Sequence, residues 1–459
     1  MRKKIFVYFL LLFTFPYTKA QYCTIKGTAP GAQGREIRVI TYSDQISYLE
    51  KTIASDTIDA SGNFNLKFIN TSTIYAFVEI DFYKSDIYLE PDGNNNIEIS
   101  LFKNNKNINL NNPFLNPLSL DINFIDQNEN DINILIQNFN SIYNNFMIKN
   151  FETILKNHSR KKVEQFKNDI DKRFKNTTNK YFKNYIKYKI ASIEQMSQIK
   201  NKANLAKKYI IDKPILYDNI EYMDFFNNYF NDYAGSITES AKNKDLKSSI
   251  NHNIKFAALS DIMSADTILK NKRLRELVIL QLLKIVYYYP DYKQKNIINI
   301  LKQISEESKY KRHRLIAKNL IKTLKNLCPG TAAPDFTLKD VNNKNISLSD
   351  FKGKYVYINF ITKYSNYCNI DMNLISELYE KYNDKIEFIS ISNDRNPQKF
   401  NSNYKWTLLY SFHNNKLIKN YSVKSYPLYV FIDDKGNIIQ YPAKAPDENI
   451  EYFFKQLVR

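Results

Sequence analysis

Residues 329–372 read PGTAAPDFTLKDVNNKNISLSDFKGKYVYINFITKYSNYCNIDM. This stretch opens where a helical pattern stops, at Cys328-Pro329-Gly330. From there strand-like runs alternate with helix-like ones, the pattern of an α/β domain. Val356, Ile358 and Phe360 are spaced by two and share one face of a strand. Ser365-Asn366-Tyr367-Cys368 then opens a helix-like segment, and serine is a favoured N-cap because its oxygen accepts from an orphan backbone N–H. Further on, residues 421–439 read YSVKSYPLYVFIDDKGNII. This is a proline-led apolar strand closed by an Asp433-Asp434-Lys435-Gly436 turn.

These landmarks together resemble the TlpA/ResA-like envelope thioredoxins of the thioredoxin-like/AhpC-TSA superfamily. Gly330, Ala333, Pro334 and Phe336 match that family's opening. Leu348, Ser349, Phe351, Gly353 and Lys354 match the turn into its first central strand. The resemblance implies a thioredoxin-like fold over residues 329–459. It sets Ser365 at the first cysteine of the family C-x-x-C motif and Cys368 at the second. Asn366 and Tyr367 stand where Gly-Pro is usual, and Tyr364 where Trp is usual. Asp371 matches a family acidic position. Pro427, preceded by Tyr426, falls on the cis-proline that abuts the motif and exposes a strand edge to substrate. The implied binding residues are therefore Tyr364, Asn366, Tyr367, Tyr426 and Pro427.

The departure at Ser365 changes the chemistry. Dithiol exchange needs a low-pKa thiolate to attack and a second thiol to resolve the mixed disulfide. A serine hydroxyl is too weak an acid for the first task. Cys368 alone forms a mixed disulfide without completing an intramolecular cycle. It is then either a small buried hydrophobe or a monothiol that traps partners. Cys328 is the other thiol near this domain, and it bridges Cys368 only if their Cα atoms lie within about 7 Å.

Two functions follow. One is a redox-degenerate module that binds an envelope protein or peptide. The alternative is a residual thiol-disulfide oxidoreductase using Cys368 alone or with Cys328. A thiol peroxidase also uses a Thr/Ser-x-x-Cys motif. Here, however, Ile361 and Thr362 replace the expected proline context, and Ser425-Tyr426-Pro427 occupies the neighbourhood of the peroxidase arginine.

Upstream the chain changes character. Residues 22–102 alternate: Phe64, Leu66 and Phe68 follow an Ala60-Ser61-Gly62-Asn63 turn, then come Ile74, Ala76, Val78 and Ile80, and after Pro91-Asp92-Gly93, Ile97, Ile99 and Leu101. This spacing predicts a small antiparallel β-sandwich. Residues 103–117 are Asn-rich, contain Pro113 and Pro117, and read as a linker. Residues 118–327 read as helical. Phe182, Ile186, Ile190 and Ile193 share a face, as do Ile297, Ile300, Leu301 and Ile304, and Ala317, Leu320, Ile321 and Leu324. Leu274 to Tyr289 is apolar nearly all round, as in a buried helix, with Pro290 as its stop. The fold class is thus multidomain: β-sandwich, all-α middle, C-terminal α/β thioredoxin-like domain.

Residues 1–20 have the form of a signal peptide: Arg2, Lys3 and Lys4, a short apolar run from Ile5 to Phe15, and Thr18-Lys19-Ala20 as cleavage site. They predict export to the periplasm or envelope, with no membrane span in the mature chain. Tyr22 before Cys23 argues against a lipid attachment site. Lys and Arg number 66 against 47 Asp and Glu, a formal charge of +19. The lysines are dispersed, without the clustered footprint of a nucleic-acid binder. The run Lys309, Lys311, Arg312 and Arg314 reads as a solvated helix face. Three cysteines make an odd number, so at least one stays out of any internal disulfide. His158, His252, His313 and His413 lack ligand spacing, so no metal is expected. No phosphate-cradling glycine loop is present, and no cofactor is expected.

Overall fold

The computed structural model describes residues 22–81, 83–100, 119–125, 128–239, 243–289, 291–363, 365–394, 404–411, 415–423 and 425–457. The signal segment, the linker, Pro290, Tyr364 and His413 lie outside the described residues.

The first unit is a two-sheet sandwich. Its strands are β1 (Tyr22–Thr28), β2 (Glu36–Tyr42), β3 (Glu50–Thr57), β4 (Asn63–Ile69), β5 (Ile74–Ile80), β6 (Tyr83–Leu89), β7 (Asn94–Ser100) and β8 (Asp121–Ile125). One sheet runs β4-β1-β7-β8 and the other β3-β2-β5-β6. The alternation in β4 is complete: Phe64, Leu66 and Phe68 are buried while their neighbours are exposed. Gly62 takes φ +86° in the turn before it, a conformation that suits glycine.

Two details differ from expectation. Strand β1 pairs with β7 in parallel, so the sandwich is not wholly antiparallel. The close approach there requires Gly27, since a Cβ would sit 1.8 Å from the Ile97 carbonyl oxygen. Strand β8 lies inside the stretch expected to be helical. Its Ile122 and Phe124 pack against the sandwich core, so apolar burial extends the sheet before the helices begin.

The middle unit is helical. Its helices are α1 (Ile132–Leu155), α2 (Arg160–Arg173), α3 (Lys180–Met196), α4 (Lys202–Tyr209), α5 (Ile220–Glu239), α6 (Asn243–Ser248), α7 (Phe256–Met263), α8 (Lys272–Val286), α9 (Gln294–Glu307) and α10 (Lys311–Lys325). Helix α8 is buried all round from Leu274 to Leu283, as its apolar pattern requires. The faces carried by Phe182, Ile297 and Leu320 are buried as their spacing implies. The sandwich loop at residues 43–48 docks on this unit. Ile46 is fully buried in its core, Lys284 Nζ donates to the Ile46 carbonyl at 2.7 Å, and Asn319 Nδ2 donates to Asp44 at 2.8 Å.

The C-terminal unit is α/β. It contains β9 (Thr337–Asp340), β10 (Asn345–Ser347), β11 (Tyr355–Ile361), α11 (Asn366–Tyr382), β12 (Ile386–Ser392), β13 (Thr407–Tyr410), α12 (Asn415–Asn420), β14 (Leu428–Ile432), β15 (Ile438–Gln440) and α13 (Ile450–Leu457). The seven-stranded sheet runs β10-β9-β13-β12-β11-β14-β15. Central β11 pairs in parallel with β12 and antiparallel with β14. Both faces of this sheet are covered, so β11 is buried from Val356 to Ile361. This arrangement brings the start of α11 beside the start of β14. Lys419 on α12 reaches back to Glu50 on β3 at 2.8 Å, joining the first and last units.

Candidate functional site at the start of helix α11

Ser365 caps α11. Its backbone is extended (φ −103°, ψ 117°) and its Oγ accepts from the Cys368 N–H at 3.4 Å. The same hydroxyl donates to the Tyr426 carbonyl at 3.4 Å. Tyr426–Pro427 is a cis peptide, with Tyr426 buried and Pro427 half-buried. The local reason is plain. A short turn leaves β11, closed by Ser365 N–H to the Thr362 carbonyl at 3.2 Å, and β14 pairs with β11 from Phe360↔Leu428 onward. The residues flanking those paired positions must therefore meet.

Cys368 lies within the domain core, with no accessible surface, among residues that include Met372 and Ile375. Burial pushes its thiol up; hydrogen bonds from the Thr362 backbone and the Ser365 side chain pull it down, and the Asp371 and Asp394 charges push it further up. Asn366 and Tyr367 occupy the two positions between, both exposed; Tyr367 is 74% exposed. Ile370, one turn on, is 59% exposed. Tyr364 lies outside the described residues.

The three cysteines are all free. Cys328 belongs to a different neighbourhood. It packs against the helical core, its Sγ donates to the Leu324 carbonyl at 3.1 Å and it lies 3.0 Å from the Tyr287 hydroxyl. Cys23 is buried in the sandwich.

Sequence reading missed two carboxylate arrangements here. Asp371 is buried and accepts from the Tyr429 hydroxyl. Burial raises its pKa, the Tyr429 bond opposes this, and Asp447 and Glu448 add to it. Asp394 is fully buried just past β12 and accepts from Thr362, Lys363 and Ser392. Asp371 was marked as an acidic position without its partner. Asp394 carries no motif; a polar residue ending an apolar strand was its only signal.

His313 is fully buried and bonded on both ring nitrogens. Nδ1 meets Glu276 at 2.9 Å and Nε2 meets the Tyr217 hydroxyl at 2.7 Å. His158 Nδ1 lies 2.6 Å from the Ser197 carbonyl.

Comparison with known proteins fits this geometry. The AhpC/TSA family model matches residues 329–441. The thiol-disulfide oxidoreductase ResA of Bacillus thuringiensis subsp. konkukian is 31% identical over 134 residues, which is 28% of this chain and 78% of the relative. The chain belongs to the TlpA/ResA-like thioredoxin-fold family. The thioredoxin-like protein YneN of Bacillus subtilis is 30% identical over 24% of this chain and 68% of its own length. Among solved structures, a thiol-disulfide oxidoreductase of Bacteroides vulgatus shares 26% identity over 29% of this chain and 99% of its own, with TM-score 0.27. The family model and the ResA relative both fall on the C-terminal unit, which carries the thiol-disulfide oxidoreductase-like thioredoxin fold. No helix among the described residues is long and apolar enough to cross a membrane.

Proposed function

We propose that this is an exported member of its family whose redox centre holds a single thiol, and that it binds a polypeptide partner along the Pro427 edge without completing dithiol exchange. The observation that carries this is the hydroxyl of Ser365. It caps α11 and bonds to Tyr426, and the family resemblance gives this position to the attacking sulfur. Cys368 is left buried, and Cys328 is held in another core by Tyr287 and Leu324. A buried thiol raised by desolvation is a poor nucleophile at neutral pH. Exposed Tyr367 and Ile370 on α11, with half-buried Pro427 and Leu428 at the start of β14, offer a partner apolar surface.

Export rests on residues 1–20, with their basic start, short apolar run and small-residue end. Residues 22–102 and 118–327 are read as extension domains that hold the thioredoxin-like domain and add partner surface. Neither carries a residue of the redox motif.

A second reading is favoured by the relatives, which are named as oxidoreductases. In it Cys368 exchanges with a partner disulfide and an external thiol resolves the product.

Reduction of insulin disulfides by dithiothreitol separates the two. The partner-binding reading expects no acceleration by the full chain. A thioredoxin-like rate that disappears in Cys368→Ala overturns it.

A further inference from the structure

The carboxylate of Asp394 is fully buried at the end of β12. Among the described residues, three uncharged donors hold it. Thr362 Oγ1 donates to Oδ1 at 3.1 Å, while the Lys363 N–H and Ser392 Oγ each donate to Oδ2 at 2.9 Å. Its own N–H donates to Ser392 Oγ at 3.2 Å. Thr362 and Lys363 are the residues through which β11 turns toward α11. The neighbouring Asn393 N–H donates to the Ile361 carbonyl at 3.3 Å. Asp394 therefore ties the ends of two parallel strands together at the turn that delivers Ser365 and Cys368.

We propose that Asp394 is a positioning residue for the Cys368 centre: through Thr362 and Lys363 it fixes the β11–α11 turn and sets a buried carboxylate at the root of that turn. This rests on reading Cys368 as the sulfur of the centre. The charges of Asp371 on α11 and Asp394 at the end of β12 act on that sulfur, and Tyr426 and Tyr429 on the β14 side are coupled to it electrostatically. Both carboxylates oppose formation of a thiolate, and burial strengthens that opposition because little water screens the charges. Asp394 is thereby a guard that keeps Cys368 in the thiol form until a partner changes its surroundings. Asp371 is partly relieved by the Tyr429 hydroxyl. Asp394 is the carboxylate attached to the turn itself.

The test is the pH dependence of Cys368 alkylation in the full chain, followed on its own peptide by mass spectrometry. Asp394→Asn is expected to lower the midpoint by about one pH unit, as removal of a nearby like charge does. Thr362→Val keeps the charge and removes one donor, so it is expected to speed alkylation without lowering the midpoint. An unmoved midpoint in a folded Asp394→Asn, or an equal drop in Thr362→Val, overturns the proposal. A wild-type measurement covers the case in which Asp394→Asn fails to fold. The carbon-13 shift of the Asp394 carboxyl is expected to step as Cys368 ionises; a flat trace overturns the proposal. None of these readouts involves disulfide turnover. A thioredoxin-like insulin rate removes the partner-binding reading and leaves this inference standing, while an unmoved midpoint does the reverse.

Discussion

Ser365 and Tyr426 meet across the motif: the serine hydroxyl donates to the tyrosine carbonyl at 3.4 Å while accepting from the Cys368 N–H at the same distance. One side chain thus caps α11 and ties it to the proline-led edge of β14. A hydroxyl suits both tasks, whereas a thiol makes weaker hydrogen bonds and brings redox chemistry.

Ser365→Cys is expected to give Cys368 a thiol partner. The new sulfur would stand at the cap, one turn from Cys368. Mild oxidation should then form an internal disulfide, read by intact mass as the loss of two hydrogens. Insulin reduction should appear with it. Loss of the oxygen cap should cost about 1 kcal/mol in reduced protein, measured by urea unfolding. A variant that stays fully alkylatable after oxidation contradicts the placement of the motif.

The sandwich carries an independent alkaline sensitivity. Burial pushes the Cys23 thiol up to about 11 from its ordinary 9.0. The folded state therefore holds this proton more tightly than the unfolded state does. The stabilisation is full below about pH 9 and is lost as pH rises through about 11. Two units correspond to about 2–3 kcal/mol. Buried tyrosines titrate in the same direction, so the measurement is the difference between wild type and Cys23→Ala in melting temperature against pH. That difference should change across this window. A pH-independent difference contradicts the assignment.

In the helical unit, His313 joins α10 to α8 and to the segment before α5, through Glu276 and Tyr217. His313→Leu removes both bonds and leaves the Glu276 carboxylate with the Ser308 hydroxyl. Breaking such a buried arrangement from one side should cost about 3 kcal/mol. Tyr217→Phe should cost about 1 kcal/mol. Urea unfolding followed by far-ultraviolet circular dichroism checks both, and a loss under 1 kcal/mol in His313→Leu contradicts the pairing.

These residues also show where sequence reading runs out. Strand β4, the buried helix α8 and the α9 face were legible because burial repeats at the period of the element. His313 was partly legible: it precedes Ala317, Leu320 and Leu324 at helical spacing, but the basic residues around it mask that face. Strand β8 was hidden because its five residues follow a long polar stretch and pair with β7 only through tertiary contact. Ser365, Cys368 and Pro427 were picked out by their resemblance to the family's motif and strand, and the structure brings Ser365 and Tyr426 together. Asp394 was not legible, because its link to Thr362 depends on the β11–β12 register, Ile361↔Ser392, which no local pattern declares. Likewise, the separate cores of Cys328 and Cys368 depend on how two units pack.

Cys368 is expected to lack a resolving thiol within its own chain, and peptide mapping of full-length protein after mild oxidation with diamide checks this. The account predicts that the Cys368 peptide is recovered without an internal disulfide to Cys328 or Cys23, and that its thiol is alkylated once the chain is denatured. Recovery of Cys368 joined to either cysteine in the folded monomer contradicts it.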